Sequence, residues 1–507
     1  MSPRRVAVLA DLGQDVYHAG DEAMGHAAAD ELLARGLRVL LLSRNPGQTE
    51  HLFGTEAVHT LAFPWPPAER ETYFRGILDH LSGLSELPAG DPALTLIDEL
   101  QKCDGVLIAG GGNLNSRFGW LLYERAAVIA IARSLGKPVV VSGQTLGPAL
   151  TGVDALALAS VLGAADLSGV REQASADVAR RLDVSVVAGL DDASFLAAAG
   201  EGSSGISSFA EASTDVGEHL RKLPDSGYVA VTVSPYAGGP EDLYALLGAE
   251  LDALHLETGL PSVFVPHLGT GTDGWDSQAH ARIAASMSSP SQRLPVLPAR
   301  NVAALTSGAS LVVTSRYHPA VFALSKEVPV VALAVDSYSG VRLEGVMANW
   351  GLRDFVLPLP ALKAGLLAPA LAESWQRKTE ISKHLKDISP SRKAWSRQWW
   401  DAVAAVFSGP EPGPESGPRT VNDLSAAPAF RASGSWRASA GEAAGGFYAE
   451  SGLNAQHAVE QDRLRSYSEQ RQRELEELRA EHERLLNSRT VKTALSLHRR
   501  YSTFFRR

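Results

Sequence analysis

The stretch Ser315–Leu324, SRYHPAVFAL, sets an arginine and a histidine two residues apart, after the apolar run GASLVVT and at the start of a proline-led helical segment. A guanidinium is a permanent cation whose planar donors suit phosphate or carboxylate. An imidazole can take up or release a proton near neutral pH. With Pro319 in the first helical turn, where its missing N–H costs nothing, His318 falls at or near the N-cap. There it faces free backbone N–H groups and the positive end of the helix dipole. The dipole lowers its pKa and a bound dianion raises it again. Two readings stay open: an anion site that carries its own acid, or a capping histidine with Arg316 paired to an acidic neighbour.

Other stretches offer weaker chemistry. LIAGGGNLNSRFGW has three glycines after a buried run and a helix beyond, so Gly111, Gly112 and Asn113 allow close backbone approach to a ligand, or simply a tight turn. The full G-x-G-x-x-G spacing is absent, so no dinucleotide fingerprint is supported. VSGQTLGP puts the amide of Gln144 at another strand end. HAGDEAMG reads as a helix start with Asp21 as cap and Glu22 in the first turn. Arg171, in SGVREQAS, follows a strand, with a surface salt bridge as the plainer reading. His267, Asp273 and Asp276 in PHLGTGTDGWD have metal-ligand chemistry, although helix capping or acceptor contact explains them as well. H-E-x-x-H, Walker and G-x-S-x-G patterns are missing.

The elements that must position these residues are short β-branched runs alternating with helical patterns. RVAVLA (5–10), LRVLLLS (37–43), DGVLIAGGG (104–112), PVVVSGQ (138–144), DLSGV (166–170) and VSVVAG (184–189) form a first series, with a helix over 120–136 closed by Gly136-Lys137-Pro138. YVAVTVS (228–234), PSVFVPH (261–267), ASLVVTS (309–315) and VPVVALAVD (328–336) form a second, with a helix near 240–258. Continuous apolar strands alternating with helices predict α/β domains with parallel sheets covered on both faces. The expected division is a first Rossmann-like domain over 1–198, a linker over 199–226, a second Rossmann-like domain over 227–408, a flexible linker over 409–455 and a helical, partly basic tail over 456–507. Both halves would aim their carboxyl-end loops into one cleft.

Composition narrows the class. With 507 residues, 45% hydrophobic and 21% charged, the chain reads as a globular protein of several units. No apolar run reaches the roughly 18–20 residues of a membrane span, and the start lacks a signal-peptide core. A single cysteine, Cys103, excludes an intrachain disulfide and a thiolate metal cluster, which fits a reducing cytoplasm. A net charge of −10 argues against a general nucleic-acid binder. From Arg489 onward every charge is basic, and Ala494, Leu497, Tyr501 and Phe504 share one face, the pattern of an interfacial helix. Leu464, Leu478 and Leu485, with Arg471 between them, fit a solvated helix or a short coiled coil equally.

Taken in order, G-D-E, a strand ending G-G-G, G-Q-T-L-G-P, V-R-E and S-R-Y-H before FALSKEVPVVAL resemble the polysaccharide pyruvyl transferase family over roughly 4–355. The resemblance implies a glycosyltransferase-B-like pair of domains and phosphoenolpyruvate as donor substrate, with no further cofactor and no metal. It implies that Arg316 and Arg171 hold the donor beside Ser315, and that His318 protonates its methylene carbon. Asp21, Glu22, Gly111, Gly112, Asn113 and Gln144 then fall on the acceptor side, facing a glycan or lipid-linked glycan. Family members often carry a lysine after the segment matching ALAVDS, and none is found here. The expected location is cytoplasmic, the tail offering peripheral membrane contact or self-association. Two other functions fit the same architecture: a nucleotide-sugar glycosyltransferase, or a non-catalytic scaffold in surface-polymer assembly. Against the first, the segment around SRYHPAVFALSKE has only one glutamate, Glu327.

Overall fold

The computed structural model describes residues 3–197, 223, 227–235, 242–270, 274–408 and 421–504. Apart from Leu223, the expected linker over 199–226 lies outside them. Among the described residues the first sheet runs Ala57–His59, Arg38–Ser43, Arg5–Leu12, Gly105–Ile108, Val139–Leu146, Leu167–Val170, Val187–Ala188, and Gly111–Leu114 adds a further pairing to Val139–Leu146. The second runs Ser291–Arg293, Ser262–Phe264, Val229–Thr232, Leu311–Thr314, Val330–Ala334, Val356–Pro358. Every ladder in both is parallel. The architecture is therefore two α/β domains facing a cleft, as the alternating pattern predicts, with the carboxyl ends of both sheets turned toward it. Some short strands, such as Ala57–His59 and Ser291–Arg293, are not legible in the sequence, because neither AVH nor SQR is an apolar run of the kind that marks the others.

Several contacts fix one domain against the other. Tyr17–His18 pairs antiparallel with Leu268–Gly269 of the second domain, and Arg300 holds Asp30 at 2.7 and 2.9 Å. The helix Lys378–Ser408 begins on the second domain but ends in the core of the first, where Trp399, Trp400 and Phe407 are buried. Gly105 and Gly169 accept these rings, since a Cβ at either position would collide with Phe407 or Trp399. The packing unit thus changes before 408, although the sequence offers no break there.

The expected flexible linker over 409–455 is not one over its described part, which starts at 421. From there the chain runs extended across both domains: Leu424 donates to the Ala188 carbonyl at 2.7 Å and Phe430 to that of Gly351 at 2.8 Å. It then enters a helix, Trp436–Asn487, of 52 residues and about 78 Å. This helix straps the domains together. Ser451 accepts from Ser337 N at 2.9 Å on the second domain, while Gln456 exchanges two hydrogen bonds with the Leu150 backbone on the first. Further on, Ser466 accepts from Ala68 N at 3.1 Å. An Ala/Gly/Ser-rich composition hides this because few large residues anchor it, chiefly Trp436 and Tyr448. Leu478 and Leu485, beyond the strapped part, are exposed.

Glu373 is the anchor. Its carboxylate accepts from Ser433 N, Ser433 Oγ, Gly434 N and Trp436 Nε1 at 2.6–2.9 Å. Burial alone would raise its pKa, but the bonds from Ser433, Gly434 and Arg377 outweigh it and bring it from 4.5 down to about 2. A lowered carboxylate pKa stabilises the fold above its ordinary value, and that stability is lost as pH falls through about 2. Glu373→Gln is expected to cost about 2 kcal/mol in urea unfolding, as charge-assisted bonds become neutral, and to make 421–440 the first site of limited proteolysis. An unchanged midpoint and cleavage pattern would show that the strap is anchored elsewhere.

Candidate functional site

The carboxyl ends of the two sheets enclose a cleft of about 930 Å³. Asp21, Gly112, Asn113 and Arg171 reach it from the first domain, and Ser315, Arg316 and His318 from the second. Groups far apart in the chain, each expected on separate grounds, are thus brought into one space.

Arg316 is the N-cap residue of the helix Tyr317–Ser325, so His318 sits in the second helical position rather than at the cap. Its ring is buried against the first domain. Gly20 makes this possible, since a Cβ there would collide with His318 Nδ1. His318 Nε2 is buried without a hydrogen-bond partner and lies 3.9 Å from Asp191 Oδ2. Burial, reinforced by cationic neighbours led by Arg171, holds the imidazole well below its ordinary pKa of 6.5. Without a ligand His318 is therefore a neutral base, not an acid.

Arg316 does have the acidic neighbour that the plainer reading calls for. Its Nε and Nη2 donate to Asp276 Oδ1 at 3.2 and 2.5 Å. Asp276 is fully buried and also accepts from the backbone N–H groups of His267 and Leu268. Burial pushes this carboxyl up, yet Arg316 and His280 outweigh it and keep it below the usual range. The guanidinium stays 21% exposed and lines the cleft, so it is aimed there by a buried carboxylate. The metal reading of 266–276 loses its basis: Asp276 is committed to Arg316, Asp273 lies outside the described residues, and no metal-ligand cluster occurs among those described.

Arg171 is buried, not a surface ion pair. It donates to Asp191 Oδ2 at 2.6 Å and to Thr145 Oγ1 at 2.8 Å, and lies 4.2 Å from the Tyr317 ring centroid. Ser315 Oγ accepts from Ser234 N at 2.9 Å, tying two strand ends of the second sheet.

Four expectations change on the first domain. The cap of Ala19–Ala34 is His18, whose Nδ1 accepts from Asp21 N at 3.2 Å; Asp21 is in the first turn, facing the cleft. Glu22 is not among the cleft residues. It is buried with Oε2 unpartnered, and burial raises its pKa to about 8. Gln144 is fully buried, its amide donating to the carbonyls of Ala109 and Ser142, so it braces the turn instead of reaching a ligand. Gly111 pairs with Gln144 in the sheet and likewise does not line the cleft.

Sequence reasoning missed Asp191, Tyr338 and Arg342. Asp191 follows the strand Val187–Ala188 in the pair D-D, the only available signal. Tyr338 and Arg342 are one turn apart on the helix Ser337–Asn349, with the guanidinium 3.9 Å from the Tyr338 ring and its Nε buried without a partner. Tyr338 Oη also donates to the Gly112 carbonyl across the cleft. Arg342 and Lys363 both line it. The second domain thus supplies cations after ALAVDS even though no lysine stands there.

Two parallel-sheet domains closing on a cleft define a glycosyltransferase-B-like fold. The family model for polysaccharide pyruvyl transferase matches residues 18–337, and the chain belongs to that family. The match takes in Asp21, Arg171, Arg316 and His318 and stops one residue short of Tyr338. No curated protein sequence matches significantly. Among solved structures, a UDP-N-acetylglucosamine 2-epimerase from Listeria monocytogenes is similar at 10% identity with a TM-score of 0.52, covering 83% of this chain and 99% of that one. A ugt transferase from Siraitia grosvenorii in complex with UDP is similar at 12% identity with a TM-score of 0.49, covering 80% and 100%. At such identity the first of these likenesses shows the fold alone.

Imidazole NMR of the unliganded protein is expected to show His318 neutral at pH 6.5, where an unperturbed ring would be half protonated. A protonated His318 at that pH would contradict the electrostatics described.

Proposed function

We propose that the protein moves the pyruvyl group of phosphoenolpyruvate onto a sugar of a cell-surface glycan, as a ketal across two hydroxyls, and releases phosphate. The observation that carries this reading is the unpartnered Nε2 of His318 at a cleft lined by Arg316, Arg342 and Lys363. A donor with a carboxylate and a phosphate would supply anions to Arg342, whose Nε has no partner, to Lys363, and to the open side of the Arg316 guanidinium that Asp276 holds. Burial and, after it, cationic neighbours keep His318 neutral; the donor's charge would counter the cations and favour the protonated ring, so donor binding would load the proton needed.

Protonation of the donor's methylene carbon by His318 makes the adjacent carbon electrophilic, and a sugar hydroxyl adds there. Loss of phosphate and addition of a second hydroxyl complete the ketal. Of the two hydroxyl protons, one leaves with phosphate and the other returns to the histidine. Positioned proton transfer contributes about 10²–10⁴-fold, and the guanidiniums stabilise the developing phosphate charge. A nucleotide-sugar reaction has less support: Glu327 follows the far end of the helix that carries His318, and it does not line the cleft.

Phosphate release from phosphoenolpyruvate is expected only with a glycan acceptor present. His318→Ala should lower turnover by about 10²–10⁴-fold with donor affinity largely kept, whereas Arg342→Gln should act mainly by raising the donor KM. Unchanged turnover in the histidine variant would remove it from the chemistry.

The basic helix Arg489–Phe504, with Leu495 and Leu497 exposed, is suited to the surface of an anionic membrane, where a lipid-linked acceptor would reside. No helix among the described residues is long and apolar enough to cross a membrane. Because the strap ends before this helix, deleting 489–507 is expected to abolish sedimentation with phosphatidylglycerol vesicles and leave turnover on a soluble acceptor intact. Equal sedimentation of both proteins would exclude the membrane role.

A further inference from the structure

A file of aromatic rings leads from the protein surface into the cleft. Trp65 stacks on Trp120 with centroids 4.1 Å apart and planes at 9°. Trp120 meets Phe118 edge-on at 5.7 Å, and Phe118 leans on Tyr338 at the same separation. Tyr338 in turn carries the Arg342 guanidinium. The inner three rings line the cleft; Trp65, at the outer end, is 70% exposed.

Trp65 is not a scattered apolar residue but the outer end of a contiguous aromatic surface that runs into the cleft, and an exposed apolar surface of that kind marks a ligand groove. Trp65 is also held firmly. It lies in the run FPWPP, between Pro64 and Pro66-Pro67, whose rings fix φ and restrict the backbone. Its carbonyl accepts from Nη1 of the buried Arg70 at 2.8 Å. A flat apolar face, set in advance at the cleft mouth, loses little entropy when a ligand covers it.

A pyranose fits this surface. Its C–H face is an apolar disc of about the area of an indole face, while its hydroxyls project from the edge toward polar groups. Such groups flank the file: Arg117 lies 5.8 Å from both the Phe118 and the Tyr338 rings and pairs with Asp336 at 3.2 Å.

The geometry points to an outer sugar subsite on Trp65, continuous with the cleft through Trp120 and Phe118, so that the acceptor is an oligosaccharide or polymer and not a single sugar. This rests on the reading that the cleft accepts a glycan. The bound chain would lie along the file, with one sugar beside His318 and Arg342 and another on Trp65.

The test is a donor-free tryptophan-fluorescence titration of the full chain. The probes are β-linked tetramers of glucose, galactose and N-acetylglucosamine, each against its methyl glycoside. At least one tetramer is expected to bind about tenfold more tightly than its methyl glycoside. Trp65→Ala should bring that tetramer down to the affinity of the methyl glycoside, and Trp65→Phe should restore part of the difference. No tetramer preference in the native protein, or an equal fall for tetramer and methyl glycoside in Trp65→Ala, would overturn the subsite. Because no donor is present, the subsite stands if the preference holds and phosphoenolpyruvate is not consumed, and only the pyruvyl reading then fails.

Discussion

The site depends on one buried ion pair, Arg171 with Asp191, each side chain 1% exposed. A charge taken so far from water is tolerable only when paired and hydrogen-bonded. Here Thr145 and the Tyr317 ring complete the arginine's surroundings, and Ala193 N donates to the other oxygen of Asp191. The pair sits where both domains meet: Asn349 of the second domain donates to the Arg171 carbonyl at 2.9 Å. The carboxylate that neutralises Arg171 also lies 3.9 Å from His318 Nε2. Removing either partner would leave an uncompensated charge beside the histidine as well as in the core.

This arrangement explains the resting state of the cleft. Asp191 is engaged by Arg171, so it does not offset the cations around His318, and burial keeps the ring neutral. Arg316 is similarly held by Asp276, but its guanidinium remains partly open to the cleft. The cleft lining still carries more cations, among them Arg342 and Lys363, than carboxylates. Under the proposed reaction an anionic donor would be both ligand and switch, because it would supply the charge that stabilises a protonated His318.

The fold keeps this balance by fixing the cleft's width. The bridge between Tyr17–His18 and Leu268–Gly269 closes one end, Tyr338 reaches Gly112 across the gap, and the strap helix spans both domains outside it. The strap also rests on the helix Pro67–Leu81, directly after the loop that presents Trp65. The same long helix therefore holds the two walls and borders the proposed acceptor entrance.

Much of this is legible in sequence where the cause is local. Strands stopped by glycine and a helix begun by S-R-Y-H-P identify themselves, so the sheets, Arg316 and His318 are readable. What is not readable depends on partners distant in the chain. Asp276 and Asp191 look like ordinary loop acids until folding sets them against Arg316 and Arg171. Gln144 looks like a ligand group because an exposed amide and one bracing a turn share a sequence context. Asp21 looks like a cap because an aspartate is a commoner cap than the histidine that does it. The strap is hidden by composition, since small residues let a helix pack closely and also mimic a linker.

The central claim is that the donor itself charges His318. Its most direct test is imidazole NMR at pH 6.5 with phosphoenolpyruvate added to the protein in the absence of acceptor. The account predicts that His318 takes up a proton when the donor binds; a ring that stays neutral with the cleft saturated would contradict it.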